Sequence, residues 1–171
     1  MAGFAEWLQA TPVSVKIQAV DWIIPLLQSI HIVGIGVVFV SSLMIALRVL
    51  GRLRADEPFN ETWQRFAPWM WRGLIVMVIT GAILVVGEPV REFSTFSFWM
   101  KMALLAIVTS GTALLGRSLR PVAASNAQAG FSGGAKATAI VLIALWLAII
   151  FLGRAIAYDV EVWGAMSLHS A

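Results

Sequence analysis

The chain has 171 residues, 60% of them hydrophobic and 12% charged, with a mean hydropathy of +0.87 and a formal net charge of +3. A soluble domain carries about a quarter charged residues. Half that fraction, spread between long apolar runs, excludes a soluble globular protein, and the absence of cysteine excludes disulfides, thiolate metal sites and cysteine catalysis.

The N-terminal stretch MAGFAEWLQATPVSVK has no basic segment leading into an apolar core, so it does not read as a signal peptide. Phe4, Trp7 and Leu8 fall on one side of a short helix suited to a membrane interface. Four runs follow that are long enough to cross a hydrocarbon layer of about 30 Å, which takes around 20 helical residues. They lie at about 22–49, 69–88, 97–116 and 137–157. The second opens on the aromatic PWMW (68–71) and closes at Glu88-Pro89. The third opens on FSFWMK (96–101) and closes at Gly116-Arg117. The fourth follows a loop of small residues, AASNAQAGFSGG (123–134), and closes at Tyr158-Asp159. The expected fold class is all-α: a four-helix transmembrane bundle with a short N-terminal interfacial helix, one integral membrane domain over 1–171. Gly34, Gly36, Ser41, Ser42, Gly73, Thr80-Gly81 and the run Thr109 to Thr112 recur along the spans and read as places where helix backbones approach closely.

Lysine and arginine near span ends set orientation. Arg48, Arg52, Arg54, Arg65 and Arg72 surround the first connection, and Arg117, Arg120 and Lys136 the third. Only Lys16, Arg91, Lys101 and Arg154 lie on the other side, a split of eight to four. The expected location is a bacterial inner membrane, with connections one and three cytoplasmic and both termini periplasmic. The pI of about 10.0 therefore reports topology, and the partner is the lipid bilayer, with a membrane protein or a second copy beside it, rather than nucleic acid.

Ionisable groups inside membrane spans are rare and functional by default. His31 stands about seven residues into the first run, at a depth of about 10 Å for a rise of 1.5 Å per residue. Glu88 ends the second span, Lys101 stands four or five residues into the third, and Arg154 is near the end of the fourth. One polar residue per helix at a similar level forms an expected inward-facing cluster. Each also has a purely structural reading. Lys101 and Arg154 have stems long enough to snorkel to the headgroups. Glu88 is a helix end beside Pro89, and His31 is a neutral ring hydrogen-bonded to a neighbouring helix. Gly34, one turn from His31, leaves room for a flat ligand beside the imidazole. Methionine is scattered rather than gathered at His31, and His169 in the terminal SLHSA reads as exposed tail. No nucleophile–base pair, phosphate loop or H-x-x-x-H spacing occurs, so no catalytic residue is assigned.

With these residues in hand, the chain resembles a family of bacterial four-span membrane proteins classed as a domain of unknown function. The resemblance covers about residues 4 to 158 and rests on EWLQATP, LQSIHIVGIGVVFVSSLMIALRVLG, FSFWMKMALL and LWLAIIFLGRAIAY. Its more specific pieces are His31, Leu47 to Gly51, Phe98 with Lys101, and Gly153-Arg154. It implies architecture and no activity. The chain is also faintly similar to the copper resistance protein D family and to the HemJ-type membrane protoporphyrinogen oxidases, which pair an early-span histidine with a lysine at the start of a later span. The HemJ-type W-x-x-x-K is Trp99-Met100-Lys101 here, and Ala46-Leu47-Arg48 stands where Leu-Pro-Arg is expected.

The leading functional expectation is a ligand site for haem b or a similar group, with His31 as axial metal ligand, Lys101 and Arg154 on the propionates, and Gly34 admitting the macrocycle. The alternatives are a copper or small-solute permeation protein, with Glu88, Glu92 and Asp159 gathering cations, and a structural subunit of a larger membrane complex. The orientation has a direct check. Reporter fusions after residue 60 and after residue 128 should read cytoplasmic and a C-terminal fusion periplasmic; the reverse pattern overturns the assignment.

Overall fold

A computed structural model of the chain describes residues 2–125 and 130–164, so His169 and Met166 lie outside the described residues. Four helices dominate: α3 (Ile23–Val49), α4 (Phe59–Gly87), α6 (Phe96–Ser125) and α7 (Gly133–Ala155). The shortest has 23 residues, about 35 Å at 1.5 Å per residue, enough to cross a hydrocarbon layer. Four short pieces complete the fold: α1 (Ala2–Gln9), α2 (Pro12–Gln18), α5 (Pro89–Phe93), and α8 (Asp159–Trp163) after a 3₁₀ turn at Ile156–Tyr158. The described residues contain no strand. The protein is an all-α, multi-pass membrane protein.

Side chains are distributed as lipid requires. Ile32, Val33, Val78 and Phe151 point outward, each more than 60% exposed, while Ser41, Ser42, Thr80 and Thr112 are buried. Apolar surface gains nothing by leaving hydrocarbon, so small hydroxyl residues take the packed faces, where the two threonines bond their own helices. Thr112, for example, donates to Val108 O at 2.7 Å.

Three helix ends differ from the hydropathy limits. α4 begins at Phe59 rather than 69, which places PWMW inside the helix. Phe59, Thr62 and Ala67 are buried along this amphipathic first part, and Pro68 is accommodated within it. α6 runs past Gly116-Arg117 to Ser125, because Gly116 admits a neighbouring ring rather than ending the helix. α7 begins at Gly133 rather than 137, since Ser132 Oγ accepts from Ala135 N at 3.3 Å and caps the first turn. The N-terminal piece is two helices, not one. Thr11 Oγ1 accepts from Ser14 N at 3.4 Å, and Pro12 stands in the first turn of α2.

The chain packs as two compact units, each holding a segment of all four long helices. The first comprises residues 1–35, 75–103 and 150–171; the second comprises 36–74 and 104–149. In the first unit, Phe4 of α1 meets Phe93 of α5 at 5.9 Å, and Gln18 of α2 donates to Gly87 O of α4 at 2.8 Å.

In the second unit α3 ends in a Schellman motif. Arg52 N donates to Leu47 O at 3.0 Å and Gly51 N to Arg48 O at 3.1 Å, with Gly51 at φ +69°, a conformation glycine adopts without penalty. The buried Arg48 then turns back to the loop. Its Nε donates to Glu57 O at 2.8 Å, an Nη group donates to the same oxygen, and its guanidinium lies 5.5 Å from the centre of the Phe131 ring. A Cβ on Gly116 would overlap the Trp63 ring, whereas a Cβ on Gly36 meets nothing within 4 Å. Gly116→Ala is expected to destabilise by about 1–3 kcal/mol through overpacking. Gly36→Ala should be neutral or stabilising by about 0.5–1 kcal/mol through helix propensity. Thermal melting of the two variants in detergent checks the pair.

Candidate functional site

The site lies in the first unit and is built on His31. Its Nδ1 is 2.8 Å from Thr80 Oγ1 on α4. Thr80 Oγ1 also stands 2.8 Å from Val76 O in its own helix. With the hydroxyl proton on that carbonyl, Thr80 Oγ1 accepts from Nδ1–H, and in the neutral ring the lone pair falls on Nε2. Gly81 completes the fit. A Cβ there would stand 3.3 Å from His31 Cε1, so glycine lets the imidazole lie against the α4 backbone. Gly34 is buried on α3 itself.

Lys101 is the second element. Its Nζ stands 3.7 Å from where a Gly153 Cβ would be, so the ammonium rests beside the α7 backbone. It acts electrostatically on both His31 and Glu92. Glu92 belongs to α5, outside the spans, and its carboxyl is held above the ordinary carboxylate range. Burial is the main cause and Glu88 adds to it, while Lys101 and Arg91 oppose it. The aromatic wall over this end is Phe93, Phe98 and Trp99, whose ring centres are 5.4–5.9 Å apart. Trp99 Nε1 donates to Phe93 O at 3.1 Å, which ties α5 to the start of α6.

Of the four residues expected to face inward together, Lys101 is near enough to His31 to act on it electrostatically, and Glu88 and Arg154 turn to other partners. Glu88 pairs with Arg91 at 2.7 Å within the α5 turn, and both are partly exposed. Arg154 is exposed and turns along its own helix to Tyr158, 3.3 Å from the hydroxyl and 5.3 Å from the ring centre. A long guanidinium stem makes that outward course cheaper than burial. Asp159 also departs from its expected cation-gathering role. It is 4% exposed and caps α6, accepting from Phe96 N at 3.3 Å, Ser97 N at 3.1 Å and Ser97 Oγ at 2.7 Å. Trp163 Nε1 donates to the same Ser97 hydroxyl at 2.8 Å.

The sequence shows neither Thr80 as the partner of His31 nor Glu92, expected among the cation-gathering acids, as a group that Lys101 acts on. Thr80-Gly81 reads only as a small-residue pair, and nothing in the chain distinguishes Glu92 from Glu88 before the α5 turn fixes which one faces Lys101. Among the described residues no group of three or more His, Asp or Glu side chains is placed to hold a metal ion. No family profile, curated protein or solved structure matches the chain.

The elevated Glu92 sets a pH dependence. Stability from a carboxyl raised by burial is fully present below its unfolded value, which is near 4.5, and is lost as pH rises through the folded value. Glu92→Gln should therefore melt higher than the wild type at pH 7, and the difference should vanish below about pH 4.5. Melting curves across that range check it, and a difference independent of pH counts against the burial of the charge.

Proposed function

We propose that this chain is a bacterial inner-membrane protein of the four-span family it resembles, with both termini periplasmic, and that Glu92, Lys101 and His31 handle protons within the spans. The observation carrying this reading is the His31–Thr80 bond. It holds the ring through Nδ1 and leaves Nε2 free for a proton, within electrostatic reach of Lys101, which in turn acts on the buried Glu92 carboxyl. Chains of ionisable groups inside spans are the means by which membrane proteins pass protons where water is excluded. Glu92, at the boundary, is the group in contact with the interface. Lys101 is the intermediate, and His31 the deepest acceptor.

Haem b is a second reading, favoured by one observation: a metal-ligating histidine commonly has its other ring nitrogen held by a hydrogen bond, as Nδ1 is here. His31 Nε2 would hold the iron, and bound haem would supply one-electron chemistry there. The rest of the expected donor set fits less well. Arg154 is directed to Tyr158, Lys101 faces Glu92, and the Gly81 approach is filled by the imidazole itself.

One preparation separates the readings. Full-length protein is made with haem precursor supplied, purified, and reconstituted in liposomes holding a pH-sensitive dye under a potassium-valinomycin potential. Proton handling predicts flux above that of empty liposomes. It further predicts a loss of about a hundredfold in His31→Gln, the scale of a positioned acid–base group, and a comparable loss in Lys101→Met. Wild-type liposomes that behave as empty ones end the proton reading. A Soret band present in wild type and absent from His31→Gln moves the assignment to haem.

A further inference from the structure

The second unit carries a feature that the His31 site does not use. Arg117 and Arg120, exposed on α6, line an open groove of about 440 Å³ together with Pro121 and Asn60, which stands in the first turn of α4. The groove exists because of Gly116. The residue before Arg117 has no side chain, so the Trp63 ring of α4 sits directly against the α6 backbone and brings Asn60, three residues earlier, level with the two arginines.

Of the other seven guanidiniums, all but that of Arg52 have a partner among the described residues. Arg48 has the Glu57 carbonyl, Arg54 and Arg65 the Glu57 carboxylate, Arg91 the Glu88 carboxylate, Arg72 the Trp69 ring and Arg154 the Tyr158 hydroxyl. Arg117 and Arg120 have no ion pair, hydrogen bond or ring partner among the described residues. The residues outside the described set contain no Asp or Glu side chain. Glu61 follows Asn60 in the chain and does not line the groove. Two like charges one turn apart repel, and an anion bound between them relieves that repulsion.

We propose that this groove binds an anionic phosphate group, with Arg117 and Arg120 as forked donors to its non-bridging oxygens and the Asn60 amide beside them. Planar guanidinium forks match phosphate geometry. The arginines stand at the end of the third span, which runs from Phe96 to Pro121, the depth at which a phospholipid places its phosphate. Basic grooves between spans at that level hold anionic headgroups. A soluble phosphate compound offers the same chemistry.

The test uses the full chain in phosphatidylcholine nanodiscs. Phosphatidylglycerol is titrated in one arm and inorganic phosphate, at constant ionic strength, in the other, with thermal midpoint as the readout. The expected result is a rise with phosphatidylglycerol in the wild type. Its apparent affinity should fall roughly thirtyfold in the Arg117→Gln/Arg120→Gln variant, at about 1 kcal/mol per arginine. Arg52→Gln, a charge removed elsewhere on the same surface, should leave the affinity unchanged. A response to inorganic phosphate alone, lost in the same double variant, supports the site and assigns it to a soluble ligand. If the double glutamine variant does not fold, Arg117→Lys/Arg120→Lys decides. It keeps the charge and loses the fork, so it should bind more weakly than wild type. No response in either arm, or an equal loss in Arg52→Gln, overturns the proposal.

Discussion

Inside hydrocarbon there is no water to satisfy a polar ring, so a histidine at the level of His31 needs a partner on another helix. Thr80 is that partner, and the arrangement of the first unit depends on it. With its hydroxyl proton on Val76 O, Thr80 accepts from Nδ1–H, the pairing that leaves the lone pair of the neutral ring on Nε2. It also requires α3 and α4 to stay close, which the side-chain-free Gly81 allows. Thr80 and Gly81 thus act as one device: the first holds the ring by its nitrogen, and the second gives its carbon edge a flat surface. Lys101 repeats the device with Gly153 on α7.

The spans were legible in the sequence because a run of some twenty apolar residues has one physical meaning. Their ends were less so, because hydropathy reports where lipid contact stops and not where the backbone stops being helical. α4 continues for ten residues before its apolar run because Phe59, Thr62 and Ala67 form a buried stripe there, a pattern that an average over the window removes. Arg154 and Lys101 look alike in the chain, each a single cation near a span end. What separates them is the azimuth of each on its helix and the presence of Tyr158 one turn beyond Arg154. Glu88 and Glu92 differ in the same way, since the short α5 turns one toward Arg91 and the other toward Lys101. The identity of the groups was readable; their directions required the fold.

The second unit holds its buried charge by another route. Its buried cation, Arg48, is held by one backbone carbonyl and an aromatic face rather than by a carboxylate. This leaves the Glu57 carboxylate to Arg54 and Arg65 at the loop surface. The Schellman turn at Gly51 makes this possible, because it reverses the chain within a few residues and brings Glu57 back over the end of α3. The piece Leu47 to Gly51 is thereby a physical unit: an anchor cation followed by the only residue type that tolerates the turn without strain.

The cap on α6 has a consequence for how the protein is made. The first amides of that helix are satisfied by Asp159, a residue more than sixty positions later, beyond the fourth span. While the ribosome is still translating the fourth helix, the first amides of α6 therefore lack this acceptor. Closure comes only when the segment after Tyr158 emerges and delivers its carboxylate to Ser97, with Trp163 locking the same hydroxyl. The short α8 thus completes α6, and a nascent chain halted before Asp159 lacks the acceptor for its first amides.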